Sequence, residues 1–473
     1  MKDVIVIGGG PAGTTTASFL AQRGRSVTLF EREKFPREHV GESLLPFCYE
    51  VFRELGVLDA MKGLFVRKPT VRFVTIDGER WTNWCFNHVI KDESFLSFQV
   101  DRKLFDVVLL ENSRRLGVDV HEEHRVTDIT FDEQADKVVV TASGPNNEPQ
   151  THEARFLVDA SGRGAFMAVR NGWRVPNAGF ERTALWTHWG GLPSMKSGLE
   201  EGSSLIVYLG GEKRGWIWIF PLERNRLTVG VVLDTAYMRE QKRELTAKGS
   251  KDWQHDLYLQ ELAESPFVQN ILEGGKELMP LMIEGDYSYN STTKHGPRYA
   301  LVGDSSRFID PIFSSGIFLS MKSGSLVANA LDKMLASGNL DGNAPLLGAY
   351  EYINGAYDFV YRLISLFYNP HSISFADARP FFLEHREHED AMAAGHYILS
   401  GDFFENHKKY HQFLDLLADP HYFDMYRHHV IERPAFNQKS CDLTREEQAS
   451  VFPARSWRDA DELRRYLGQL WAR

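Results

Sequence analysis

The sequence predicts an α/β fold. A doubly wound domain is interrupted by an antiparallel β-sheet region and followed by a helical C-terminal region. Three observations carry this. A buried strand runs straight into a glycine fingerprint at the N-terminus. Strand-like segments separated by turn residues crowd the middle of the chain. From about residue 346 the pattern becomes helical. The 473 residues, 43% hydrophobic and 25% charged, are enough for two or three structural units with ordinary cores. The expected divisions are 1–182 (first part of the doubly wound core), 183–289 (β-rich), 290–345 (return of the core) and 346–473 (helical).

The first element, Asp3 to Ile7, reads D-V-I-V-I, as a parallel strand buried on both faces does. It opens into Gly8-Gly9-Gly10-Pro11-Ala12-Gly13, a G-x-G-x-x-G between a strand and a helix that runs to about Arg23. Gly8 suits the tight turn, Gly10 the approach of a pyrophosphate and Gly13 close helix–strand packing. The helix N-terminus adds free N–H groups and a positive dipole end. A second strand, Ser26 to Phe30, delivers Glu31 to the place of a ribose-binding acid. The chain therefore binds a nucleotide cofactor.

Between about Ala184 and Tyr289 four β segments follow: Thr183–Trp189, Ser204–Leu209, Trp216 onward and Leu227–Leu233. They read as an antiparallel platform. Trp216 and Trp218, at i and i+2, point to one face of their strand. Residues 238–275 read as charged helix and 316–336 as a helix returning to the core. The tail holds 9 of the 17 histidines, with His385 and His388 one turn apart on a charged run. Neither HExxH nor a Cys/His framework is present, so no metal is expected. Its aromatic residues, among them Tyr357, Phe359, Phe381 and Phe382, read as core, with some facing a ring-binding site.

Net charge is −10 and the pI about 6.0, which argues against broad nucleic-acid binding. Cys48, Cys85 and Cys441 are far apart and odd in number, so no disulfide framework and a reducing cytoplasm are expected. No signal peptide and no membrane span are read.

Three further segments resemble flavin monooxygenases of the aromatic-hydroxylase type. They are Val100-Asp101-Arg102 before a helix to Leu116, the D-G-like run Phe156 to Arg163, and the G-D-like run Tyr299 to Asp304. The resemblance implies that the nucleotide is FAD. Over roughly residues 1–345 it narrows to flavin-dependent halogenases of phenols and pyrroles. Phe35 to Pro46 looks like their R-x-x-V-G-E-S-L-x-P run. Trp216 to Pro221 looks like W-x-W-x-I-P, with Phe220 where isoleucine is usual. Asp304 to Gly316 is the longest match, and resembles halogenases of carrier-bound pyrroles and phenols.

The resemblance implies the roles. Gly8, Gly10, Ala12, Gly13, Glu31, Arg37, Val40, Ser43, Arg102, Val126, Asp304 and Gly316 would hold FAD. Ser315 and Gly316 would hold chloride or bromide. Trp216, Trp218 and Phe313 would wall the flavin from the substrate. Phe313 stands where tryptophan halogenases carry a glutamate, which favours a phenol or pyrrole that activates its own ring. A partner flavin reductase would supply reduced FAD, which with O2 turns halide into hypohalous acid. Lys68 would relay the halogen to the ring. It occupies the place of the family's K-x-G lysine, with Pro69-Thr70 replacing the usual apolar-glycine pair. The plain alternative for Lys68 is a solvated lysine before a proline turn. Asp286, in a D-x-S-Y stretch, is a candidate for covalent flavin attachment, against the plainer reading of a strand-end aspartate. The substrate would be a free aromatic molecule or one tethered to an acyl or peptidyl carrier protein. Two other readings stay open: a flavin hydroxylase or geranylgeranyl-reductase-like enzyme, and a flavin-binding protein without chemistry.

Overall fold

The computed structural model describes residues 1–209, 213, 215–285, 288–340, 344–375, 389–425, 441–457 and 459–472. Asp286, Phe381, Phe382, His385 and His388 lie outside the described residues.

The first sheet is built around β1 (Lys2–Ile7). Parallel to it on one side run β2 (Val27–Phe30) and then β7 (Asp119–His121). On the other side run β10 (Pro149–Asp159) and β20 (Tyr299–Leu301), with β19 (His295–Gly296) at the edge. The chain leaves β1 in both directions, so the glycine turn at its carboxyl end lies at a topological switch point, where open α/β sheets bind ligands. Two antiparallel strands, β8 (Arg125–Asp132) and β9 (Lys137–Ser143), extend from β10. The helices Pro11–Gln22, Arg102–Arg115 and Gly316–Ser337 pack together on one side of this sheet. All three match the expected helices to within a residue.

The second sheet has the order β16 (Lys276–Glu277), β12 (Arg182–Gly190), β15 (Arg226–Asp234), β14 (Gly215–Glu223), β13 (Ser204–Leu209), β4 (Thr70–Val74), β5 (Trp81–Cys85), with β17 (Met282–Gly285) also paired to β12. Every described pairing in it is antiparallel except β4 with β13. Its side chains alternate between two cores, as the pleat requires. Leu185, Leu205, Val207, Ile217, Ile219, Val229 and Val231 face a core shared with the helices Trp253–Ala263 and Pro266–Leu272. Ala184, Trp186, Ile206, Trp216, Trp218, Phe220, Phe73 and Trp84 face the first core, toward the N-terminal domain. The aromatic face therefore looks at the glycine fingerprint, while the aliphatic face is plain packing.

Two small sheets remain: β3 (Val66–Lys68) with β6 (Ser97–Gln99), and β11 (Arg174–Pro176), β18 (Tyr289–Ser291) and β21 (Arg307–Phe308). Beyond residue 343 every described regular element is a helix. Ala344–Phe367 lies against both Gly316–Ser337 and Phe403–Ala418.

The cysteine expectation is corrected. Cys85, the last residue of β5, is disulfide-bonded to Cys441, with Cα atoms 5.7 Å apart, and Cys48 is free and buried. The partners are 356 residues apart, so no local spacing could signal the pair. The bond ties the tail to the second sheet and removes the ground for inferring a reducing compartment. No described helix is long and apolar enough to cross a membrane.

Candidate active site

A cavity of about 590 Å³ runs between the first sheet and the aromatic face of the second. At one end it is lined by the glycine turn and Glu31. At the other it is lined by Trp216, Trp218, Phe220, Ser314 and Gly316. Of the residues expected at the cofactor, Gly8, Gly10, Ala12, Glu31, Arg37, Val40, Ser43, Arg102, Asp304 and Gly316 all line it.

Local geometry explains the fingerprint end. Gly13 is packed so that a Cβ would lie 1.9 Å from the Gly8 carbonyl oxygen, which leaves no room for any side chain. Around Gly10 a Cβ would meet only a guanidinium nitrogen of Arg37 at 3.7 Å, so its backbone is open to the cavity. Glu31 is fixed by two backbone donors, Gly9 N–H at 2.7 Å and Glu33 N–H at 2.9 Å. An open glycine backbone, a helix N-terminus and a clamped acid fit the diphosphate and ribose of a dinucleotide.

The wall near Arg37 is a charge cluster. Arg102 makes two hydrogen bonds to buried Asp106, at 2.9 and 3.0 Å, and donates to the Val40 carbonyl at 2.7 Å. Arg37 reaches the same carboxylate at 3.4 Å. Burial works against the Asp106 charge, but the two guanidinium groups hold its carboxyl below the usual range. Asp304 is recessed in the wall, and burial pushes its carboxyl up to about 6 against the pull of Arg163 and Arg102.

At the aromatic end Trp216 and Trp218 are 2% and 4% exposed, with ring centroids 5.6 Å apart. Trp218 Nε1–H donates to Thr228 Oγ1 at 3.1 Å. Trp216 Nε1–H donates to Tyr368 Oη at 2.9 Å, and Tyr368 O–H donates to Asp310 Oδ2 at 2.8 Å. Both wall rings are thus locked by their polar atoms. Ser315 is the N-cap of the helix Gly316–Ser337, yet its buried hydroxyl has no hydrogen-bond partner. A buried, unpartnered hydroxyl at the start of a long helix suits an anion.

Lys68 is not in the cavity wall. It ends β3, 1% exposed, with Nζ donating to the Leu44 carbonyl at 2.9 Å and standing 5.5 Å from the Phe86 ring centroid. The strand carrying the tryptophans runs beside β3, with Cα atoms within 8 Å. Among the described residues no carboxylate pairs with Lys68. Burial pushes its amine down to about 7. The solvated-lysine alternative is excluded. Pro69 fits the junction between β3 and β4, where its carbonyl accepts the Phe86 N–H at 3.0 Å.

Four other expected residues also stand off the cavity. Ser315 is 1% exposed and sits behind the lining residues Ser314 and Gly316. Gly13 lies beneath the glycine turn. Val126 packs in an apolar cluster with Ile5, Ile7 and Phe30. Phe313 turns away from the cavity into rings of Phe73, Phe367 and Phe375, while Phe220 takes a wall position. Sequence reasoning missed one buried pair. Glu42, 3% exposed and lining the cavity, accepts from His188 Nε2 at 3.0 Å. Burial opposes the His188 charge, but Glu42 outweighs it and raises the imidazole. The G-E-S run marked Glu42, whereas nothing in the sequence marks His188.

The chain belongs to the FAD binding domain family, whose match spans residues 1–351. Its relatives include flavin-dependent halogenases. It is 34% identical over 360 residues to a tryptophan 2-halogenase of Chondromyces crocatus, covering 75% of this chain and 64% of that protein. It is 29% identical over 388 residues to a 1H-pyrrole-2-carbonyl-[peptidyl-carrier protein] chlorinase of Pseudomonas fluorescens, covering 77% and 83%. The structure of the myxobacterial chondrochloren halogenase CndH superposes with a TM-score of 0.68 at 29% identity, covering 88% and 96%. The chain spans about 64% of the length of the first curated relatives it matches.

The depressed Lys68 amine has a consequence for stability. Between pH 7 and 10.5 the unfolded lysine carries a proton that the folded one lacks. Stability therefore rises with pH across that window, and this contribution is flat below it. Lys68→Met should remove it. Chemical denaturation of both proteins from pH 6 to 10 should show wild type gaining on the variant by on the order of 4 kcal/mol.

Proposed function

We propose that this chain is an FAD-dependent halogenase of an electron-rich phenol or pyrrole ring. The observation that carries the reading is Lys68: a buried amine held near neutrality, beside the tryptophan strand that walls the cavity. When bound in reduced form, FAD supplies the activation of O2 that turns halide into hypohalous acid. The chain's own residues do the rest. The glycine turn, Glu31 and the Arg37–Asp106–Arg102 cluster hold the cofactor. Val40, Ser43 and Asp304 line the cavity in which it would sit. The Ser315 hydroxyl and the N–H groups at Gly316 hold chloride or bromide. Trp216 and Trp218 keep the ring away from the site where oxygen reacts, which prevents hydroxylation.

Lys68 would then take the halogen. Its amine nitrogen bonds to the halogen of hypohalous acid as the halogen–oxygen bond breaks, and hydroxide leaves as water with the amine proton. The ring next takes the halogen and loses a proton, which returns the amine. A neutral amine has the lone pair this requires, and burial favours that form of Lys68. A phenol or pyrrole completes the reaction without a carboxylate beside it, consistent with Phe313. The pyrrolyl carrier-protein chlorinase among the relatives supports a substrate tethered to a carrier protein. The flavin site has only one G-x-G-x-x-G, so reduced FAD comes from a separate reductase. The test is incubation with FAD, a flavin reductase, NADH and bromide or chloride, with free and carrier-bound phenols and pyrroles. A halide-dependent mass increase of the ring supports the proposal. A hydroxylated or reduced product refutes it.

A further inference from the structure

We infer that the tail loop from Cys441 to Val451 is a clamp that positions Lys68, closed by the Cys85–Cys441 disulfide and opened by its reduction. The clamp stands on its contacts alone. Its effect on halogenation rests on the proposed function.

The loop is pinned on both sides of the lysine. On one side the Val451 carbonyl accepts the Arg67 N–H at 2.7 Å, one residue before Lys68. Val451 and Phe452 are buried there in a small apolar cluster with Val66. Gly202 shows how tight this end is. A Cβ on it would lie 2.1 Å from the Arg67 carbonyl oxygen and 2.9 Å from Val451 Cγ1. On the other side Cys85 pairs with Thr70, and the next residue, Phe86, donates its N–H to the Pro69 carbonyl at 3.0 Å. Cys441 holds that corner covalently, and Asn87 Nδ2–H donates to the Asp442 carbonyl at 3.2 Å. Between the two pins the chain turns through the short helix Arg445–Ser450, whose start is fixed by a capping box of Thr444 and Glu447.

Lys68 therefore sits between two points held by one segment from the far end of the chain. The ring that follows Cys85, Phe86, stands 5.5 Å from its amine. The burial that favours the neutral amine depends on this enclosure. With the disulfide closed, Val451 hangs on a short tether beside its site, at a high effective concentration. With the bond open, one main-chain hydrogen bond and a small apolar cluster are left to hold that end. Reduction breaks the S–S bond and leaves two thiols. A dithiol supplies the two electrons and two protons and closes to its own disulfide. Cys48, the one other cysteine of the chain, is a free thiol, so no second bond answers the reductant.

The test is hydrogen–deuterium exchange before and after reduction with dithiothreitol, without FAD or halide. The Arg67 and Phe86 amides should exchange about 10-fold faster in the reduced chain, while those of β1 keep their rate. Cys441→Ser should show the fast rate with and without reductant. Should that variant fail to fold, reduction of wild type still decides. Thiols consume hypohalous acid, so turnover is compared between wild type and Cys441→Ser with no reductant present. Ring halogenation should fall about 10-fold in the variant, with FAD affinity unchanged. Unchanged exchange at Arg67 and Phe86, or a bond that resists dithiothreitol in the folded chain, would overturn the clamp. So would equal acceleration at β1, because the bond would then stabilise the whole fold and not this site. Full halogenation by Cys441→Ser would deny the clamp its role in positioning Lys68. No halogenation by wild type, with the exchange contrast intact, would count against the proposed function alone.

Discussion

Lys68→Ala is expected to lower ring halogenation by on the order of 1,000-fold or more while leaving FAD binding unchanged. The amine is 1% exposed and bonded to a main-chain carbonyl, not to the cofactor cavity. Flavin affinity and oxidation of reduced FAD should therefore persist. Lys68→Arg should fail too. Guanidinium stays protonated at any accessible pH and offers no lone pair to an electrophilic halogen. It would also bury a charge where no carboxylate among the described residues pairs with it. Turnover by mass spectrometry and FAD affinity by fluorescence separate the two functions. Loss of both together in a well-folded variant would mean that Lys68 supports the fold and not the chemistry.

The second large effect is at the glycines, and two of them should behave in opposite ways. In Gly13→Ala the new Cβ would sit 1.9 Å from a backbone oxygen of Gly8, so the turn or the helix must move. Overpacking of that kind, beneath the turn expected to hold the pyrophosphate, should weaken FAD by on the order of 100-fold. In Gly316→Ala the Cβ would meet nothing within 4 Å. That variant should keep wild-type thermal stability and lose affinity for halide, because the methyl enters the open end of the cavity. Halide KM and melting temperature, measured on both variants, check the contrast. A Gly316→Ala protein that melts early with normal halide KM would deny the turn its anion role.

Much of this arrangement is legible in the sequence, because it depends on local spacing. G-x-G-x-x-G after an apolar strand fixes the switch point. Tryptophans two apart predict a shared face, and Trp216 and Trp218 do share one. What escapes is set by partners far apart in the chain. His188 meets Glu42 across 146 residues, Tyr368 meets Asp310 across 58, and Cys441 meets Cys85 across 356. Phe313 and Val126 show the same limit from the other side. Resemblance places Val126 at the cofactor and Phe313 in the wall between flavin and substrate, but Phe313 packs into the rings of Phe73, Phe367 and Phe375, and Val126 alternates into an apolar cluster. Lys68 reads as exposed by residue type alone. Only the pairing of β3 with β6 puts it inside.

If a buried amine, separate from the flavin cavity, delivers halogen to a ring, its removal must stop ring halogenation and spare hypohalous acid. The most direct measurement compares products of wild type and Lys68→Ala under identical conditions. Both would receive reduced FAD, O2, bromide and a carrier-bound or free phenol or pyrrole, with hypobromous acid followed by a chemical trap in parallel. A brominated ring is expected from wild type alone, with trapped hypobromous acid from both. Bromination by Lys68→Ala at near the wild-type rate, or a hydroxylated or reduced ring from wild type, would contradict it.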